Sequence, residues 1–459
     1  MPLEDKIVTI TEPSIEKDVI KFPNTNSTQI NKFIPDQFSL DRFELNVSGF
    51  LPTLFISFRD QAGHFQSLYY PKDGDVVSVY LKPNHKKSLK PLRIDFDILE
   101  CKSLSASRYT IFGIMKVPKI YTAAQRAFSE QSSFDTFEDV ADLLELGFAS
   151  NETETKDKQN WLNPGQTWKT FLNQLTKHAY KNDDSFYTSY VDPYYYLTFV
   201  NLNPLFADLE SETGVLTSEL AAEIESRYEQ DEAPSKEEPL FLTNHLSYRG
   251  TTAYIEDWGL LNSTGQIWQN EGYFKKVQFK DFNDTEDEVS EFQLEPLTTE
   301  NAEDNKILMR GRAGENTHKE VFHNEHMGTQ LSDLEGETSN VHSEYLFARK
   351  LNEQNRMEVE KMAMNVTLSK ANFNLHRYKP IPIVIFETEK VKKEYLKRRD
   401  EATSETEKND PIEGPIEWYV IKEISYSYSK RQGNIKQDLK LIRREWPIQF
   451  EKGKNFDKN

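Results

Sequence analysis

The chain has 459 residues, 75 of them acidic and 56 basic, for a formal net charge of −19. That length exceeds one ordinary core and predicts two to four domains, and the acidic balance repels phosphate at long range, which argues against a surface that grips nucleic acid. Aromatic residues are plentiful (29 Phe, 21 Tyr and 6 Trp), enough to fill several cores and to supply interfaces.

Cys101 is the only cysteine, so an intrachain disulfide and a thiolate metal cluster are both excluded, and a reducing compartment fits. It lies in an alternating segment that predicts a buried, inert thiol. The N-terminal stretch is charged and has no apolar h-region, and no apolar run approaches the ~20 residues needed to span a bilayer. The expectation is a protein made and used in soluble form, with no membrane partner.

Residues 1–37 are polar, with Pro13, Pro23 and Pro35, and read as an extended arm. From 38 to 120 one strand follows another. Phe43, Leu45 and Val47 alternate with polar residues, Leu54 to Phe58 is aromatic-rich, Asp73-Gly74 predicts a turn before Val76, and Ile94, Phe96 and Ile98 alternate again. Tyr109 to Val117 follows, and Pro118 stops it. Short strands between turn signals predict a small barrel or sandwich.

The rhythm then changes. Phe137, Val140, Ala141 and Leu144 fall on one helical face, with Gly147 as the expected C-cap. Burying the three larger side chains would contribute about 5–9 kcal/mol before entropy. Glu138, Asp139, Asp142 and Glu145 occupy the other positions and read as a solvated face. A second helix is expected to start at Asn163-Pro164, a cap followed by proline at the first helical position, with Trp168, Phe171, Leu172 and Leu175 as its apolar face. Two aromatic strands, Phe186 to Val191 and Tyr194 to Leu202, meet at Asp192-Pro193. Together these make a mixed α/β unit.

After a charged linker at 228–238, strand-like pieces return between 241 and 282. Acidic loops are expected at 284–304 and 329–341, a short helix near 343–356, and strands at Met362 to Leu368 and Ile381 to Phe386. A charged loop, 390–411, precedes a closing hairpin in which Tyr419 to Tyr428 turns at Gly433 into Ile435 to Leu441.

Motifs for chemistry are sparse. Gly311 to Gly314 lacks the Lys-Ser/Thr of a phosphate loop, and there is no G-x-S-x-G elbow or HExxH helix. The one crowded constellation is His318, His323 and His326, with Glu320 and Glu325 beside them. His323 and His326 could share a metal on a helix; the weak periodicity favours a solvated or interface loop. Acidic residues are everywhere, and none stands in an apolar context that would raise its pKa for glycoside hydrolysis. No catalytic, cofactor or metal site is therefore expected.

The ordered segments resemble a family. Residues 51–60 (LPTLFISFRD) and 69–81 (YYPKDGDVVSVYL), then 109–121, 136–151, 161–180 and 185–203, then 272–282 (GYFKKVQFKDF) and 418–447 resemble, in that order, the baseplate hub proteins of contractile-tailed bacteriophages. The likeness runs over roughly 40–280 and 340–447 and rests on order rather than on any one motif. It implies an α+β, mostly β chain with two tube-type antiparallel β-barrels. The arm would be 1–37, the first barrel 38–120, and an α/β insert with its linker 121–238. The second barrel would span 239–448 with inserted loops at 284–360 and 390–411, and a polar tail 449–459 would follow. The resemblance further implies a non-enzymatic virion protein, a homotrimer joining a six-fold tail tube to a three-fold central spike. Tube or tube-initiator, tape-measure and other baseplate proteins would be its partners, DNA would pass without specific binding, and assembly would take place in the host cytoplasm. The fold is similar to that of type VI secretion spikes. A tube initiator or host-surface adaptor is the alternative.

Overall fold

The computed structural model describes residues 19–21, 38–61, 63, 65–72, 74–81, 92–105, 107–182, 185–207, 214–216, 240–242, 254–262, 276–281, 289–293, 317–322, 359, 362–368, 371–385, 414–429 and 435–443. The expected helix at 343–356, the loops at 329–341 and 390–411, Gly311 to Gly314, and the turn at Gly433 lie outside them.

The fold is α+β and mostly β. Its first strands are β1 (Val19–Lys21), β2 (Phe38–Val47), β3 (Thr53–Asp60), β4 (Val76–Leu81), β5 (Leu92–Ser105) and β6 (Arg108–Met115). Alternation decides their faces: Phe43, Leu45, Val47, Leu54, Ile56, Phe58, Tyr109 and Ile111 are all buried. Gly113 completes the inner row of β6, where an added Cβ would stand 3.1 Å from the Phe96 Cβ. The ladders run β1-β4-β5-β6-β3-β2. Three residues of the expected extended arm thus belong to the chain's own sheet, with Val19 opposite Tyr80.

The insert contains β7 (Ala123–Gln131), α1 (Ser133–Leu143), β8 (Gly147–Ser150), β9 (Gln159–Thr167), α2 (Trp168–His178), β10 (Tyr187–Val191), β11 (Tyr196–Asn201) and α3 (Asn203–Ala207). The apolar faces of α1 and α2 are buried as their spacing predicts. Both expected caps need correction. The Ser132 hydroxyl accepts from the Asp135 N–H and the Asp135 carboxylate accepts from the Ser132 N–H, a capping box that starts α1. The same helix ends through Glu145 in the left-handed region (φ 59°) and a Leu146 N–H to Ala141 carbonyl bond of 2.9 Å. Gly147 instead opens β8, where a Cβ would come within 2.5 Å of the Tyr196 ring. Asn163 and Pro164 lie in β9, with the Asn163 Oδ1 accepting from Gly165 and Gln166, and it is Thr167 that caps α2. The same cap-then-proline pair suits an edge strand, because proline needs no ladder partner there.

The C-terminal region supplies β12 (Gly214–Leu216), β13 (Leu240–Leu242), β14 (Tyr254–Asn262), β15 (Lys276–Asp281), β16 (Val289–Gln293), β17 (Thr317–Phe322), β18 (Met362–Leu368), β19 (Pro380–Ile385), β20 (Gly414–Ser429) and β21 (Ile435–Arg443). The expected closing hairpin is β20 paired antiparallel with β21. Where an acidic loop and a histidine loop were expected, β16 and β17 flank β15 in a separate three-stranded sheet. The pairing is not purely antiparallel: β13 lies parallel to both β14 and β19.

The N- and C-terminal strand sets are not separate sheets. β2 pairs with β20, making one 13-stranded sheet. Beyond that seam the ladders lead from β20 through β19, β13, β14, β18 and β21 and back to β20. For the first set no ladder returning from β1 to β2 is described. One apolar core runs from Phe43 and Ile111 through Phe137 and Leu172 to Tyr419 and Leu441. A second, smaller one packs Phe186, Tyr190 and Phe206 of the insert against Ala363, Val420 and Ile442.

Candidate functional site

The seam has a built centre. Along one edge of β20, residues Ile416 to Val420 pair with β19, and residues Ile424 to Ser429 pair with β2. Between these partners the ladder with β21 is interrupted by a bulge at Ile421/Glu423. The segment 371–379 fills that gap: the Tyr378 N–H donates to the Ile421 carbonyl at 2.6 Å, and the Ile421 N–H to the Lys379 carbonyl at 3.1 Å.

Arg377, 7% exposed, is the residue that ties the parts together. Its Nε donates to the Lys422 carbonyl on the bulge and its Nη1 to the Gly49 carbonyl just past β2, each at 2.8 Å. Nη2 reaches the Tyr378 hydroxyl at 3.4 Å. The guanidinium lies 4.3 Å from the Tyr190 ring centre and 5.1 Å from that of Tyr378.

The insert grips the same place through the β10–β11 turn. Asp192 Oδ1 accepts from the Tyr194 and Tyr196 amides at 2.9 and 2.8 Å, which holds Tyr195 at φ 66°. The hydroxyls of Tyr190 and Tyr194 donate to the Arg377 and Phe373 carbonyls, and the Asp95 N–H of β5 donates to the Tyr195 hydroxyl at 2.9 Å. Val191 bonds to Phe50 at 2.8 Å. Burial pushes the Tyr190 and Tyr195 hydroxyls above the ordinary phenol value, and pushes Tyr194 up to about 12, with Asp192 adding to it. They act as neutral donors and acceptors. On the far side, Gln437 of β21 exchanges two hydrogen bonds with the backbone of Asn372.

Tyr190, Asp192, Tyr194, Phe373, Arg377 and Tyr378 of this group line a cavity of about 410 Å³. Its wall is mostly apolar and aromatic, with Arg377, Lys379 and His376 adding basic groups and Asp192 a carboxylate.

Of the residues weighed in the sequence, His318 lies in β17 opposite Val277, while His323 and His326 fall outside the described residues. Among the described residues no three His, Cys, Asp or Glu side chains gather as metal ligands would. Cys101 is half-buried rather than buried: it stays paired with Ile111 of β6, but β5 here has run past the end of its ladder with β4 at Asp97. Burial still pushes its thiol up to about 11. Among the described residues no helix is long and apolar enough to cross a membrane.

No family model matches the chain, and no curated protein matches it. Solved structures do. The tail protein from Neisseria meningitidis MC58 is similar with a TM-score of 0.48 and 10% identity, covering 93% of this chain and 96% of that one. The 43 kDa tail protein of prophage MuSo2 from Shewanella oneidensis is similar at 0.46 and 11% identity, covering 93% and 97%. A component of the Escherichia coli type VI secretion system, described as structurally similar to T4 bacteriophage tail proteins, gives 0.45 and 9%, covering 93% and 77%.

Proposed function

We propose that the chain is a non-enzymatic structural protein of a phage-type tail, the baseplate hub subunit. Three copies form a ring that joins the six-fold tail tube, or its initiator, to a three-fold central spike. Other baseplate proteins pack around the ring, and the tape-measure protein and DNA pass through it. Its place is the virion tail baseplate, after assembly in the host cytoplasm. The proposed units are the arm at 1–37, tube-type barrels at 38–120 and 239–448, and the α/β insert at 121–238.

The observation that carries this reading is β20. Sixteen residues long, it serves the N-terminal strands through β2 and the C-terminal strands through β19 and β21. Two strand sets therefore stand edge to edge in one chain, the arrangement that the sequence resemblance implies for a subunit giving two barrels to a ring. The circuit of ladders through β20 supports the second barrel. The net charge of −19 suits a conduit that DNA must not adhere to.

Light scattering of the full chain at micromolar concentration with the spike protein should report three copies per complex. A chain that stays monomeric with the spike present would overturn the hub reading; one that joins the tube but not the spike would point to a tube initiator.

A further inference from the structure

The cavity at the seam is, we propose, a binding site for a carboxylate carried on a flat apolar body: an aromatic acid, either free or as the C-terminal residue of a peptide. This does not depend on the hub reading.

Its volume, about 410 Å³, lies in the range of small-molecule sites, and its wall has their composition, apolar and aromatic with a few polar groups. Charge selects the ligand. Arg377 lines the cavity, is 7% exposed, and spends its hydrogen bonds on neutral acceptors, the Gly49 and Lys422 carbonyls and the Tyr378 hydroxyl. Among the described residues no carboxylate makes an ion pair with it. Three of the guanidinium's five N–H donors are used, so two remain for an anion. Lys379 adds a basic group to the wall and His376 an imidazole. Asp192 is the carboxylate among the described lining residues, and its Oδ1 is engaged by two amides of its own turn. A buried guanidinium without a counter-ion is unfavourable, and a carboxylate supplies both charge and a planar pair of acceptors. Phe373, Tyr194 and Tyr196 line it and supply aromatic surface for a flat body.

Titration calorimetry on the full chain at low salt tests this with benzoate and N-acetyl-phenylalanine, set against benzamide and N-acetyl-phenylalanine amide. At least one acid should saturate a single site per chain and bind at least tenfold tighter than its neutral isostere. Tighter binding of benzoate indicates a free acid as the source, and tighter binding of N-acetyl-phenylalanine a peptide terminus. Because Arg377 also holds the chain together, Ala149→Phe is used to fill the cavity from its β8 wall with the arginine in place. That variant should lose at least tenfold in affinity. Absence of saturable binding by both acids, equal binding of the isosteres, or undiminished binding by Ala149→Phe would each overturn the proposal.

Discussion

Asp157 is 1% exposed, and its two oxygens accept from the Ser133 N–H at the start of α1 and from the Tyr180 N–H past the end of α2, each at 2.9 Å. Among the described residues no cation pairs with it. Asp157→Ala would leave one buried and one half-buried N–H group unpaired, so a loss of about 2–4 kcal/mol is expected, read from the urea midpoint. Burial raises its pKa above the ordinary carboxylate value, against the opposing hydrogen bonds. The folded state therefore holds this proton more tightly than the unfolded chain does. Stability should fall as pH rises from the ordinary carboxylate value through the raised one, and Asp157→Asn should flatten that part of the profile. Glu417 and Arg443 make a second buried charge site, an ion pair with side chains 3% and 11% exposed. Arg443→Met alone should cost about 3–5 kcal/mol, and the double change with Glu417→Leu should recover most of it in thermal melts. Neither site was legible in the sequence, where acidic residues are everywhere. Arg377 was no more visible, since its partner Gly49 lies 328 residues away. The local hint was basic and aromatic residues, His376 to Lys379, set before a strand without an acid among them.

At the scale of elements, what repeats within a few residues was legible and what depends on a distant neighbour was not. The faces of α1, α2 and β2 follow from spacing alone, and so does the β20–β21 hairpin. The two misread caps share one cause: Gly147 and Pro164 are common at helix ends, but each serves a contact with another element. Gly147 lies opposite Tyr196 in the parallel β8–β11 pair. With a Cβ 2.5 Å from that ring, Gly147→Ala should destabilise the insert by about 1–3 kcal/mol. Adding Tyr196→Ala should return part of the loss, a coupling that a double-mutant cycle in denaturant would measure. If the two changes simply add, the close approach is not what requires glycine. Strands such as β13, three residues long and parallel on both sides, carry too short a pattern to be read from spacing.

For the whole molecule, the joining of the two strand sets rests on β20, and β21 keeps β20 in place. It pairs with β20 from Val420 to Tyr428 and with β18 from Met362 to Leu368, and its alternation buries Gln437, Leu439 and Leu441. Ile442 and Arg443, both buried, end the strand. Register is thereby fixed, because a one-residue slip would turn Lys436, Asp438 and Lys440 inward. A chain ending at Gln432 loses the burial of Leu439, Leu441 and Ile442, about 5–9 kcal/mol before entropy, and uncovers the facing edges of β18 and β20. It also loses Gln437, which holds Asn372 and with it the segment that carries Arg377 to the seam. Open edges with apolar faces invite other chains to pair. The truncated protein should therefore aggregate, or fail to form the three-copy complex, on size-exclusion with light scattering. A chain ending at Ile448, which lacks only the polar tail, keeps β21 whole and should behave as the full-length protein does. If the chain ending at Gln432 were monodisperse and still assembled with the spike, β21 would not be what holds the two strand sets together.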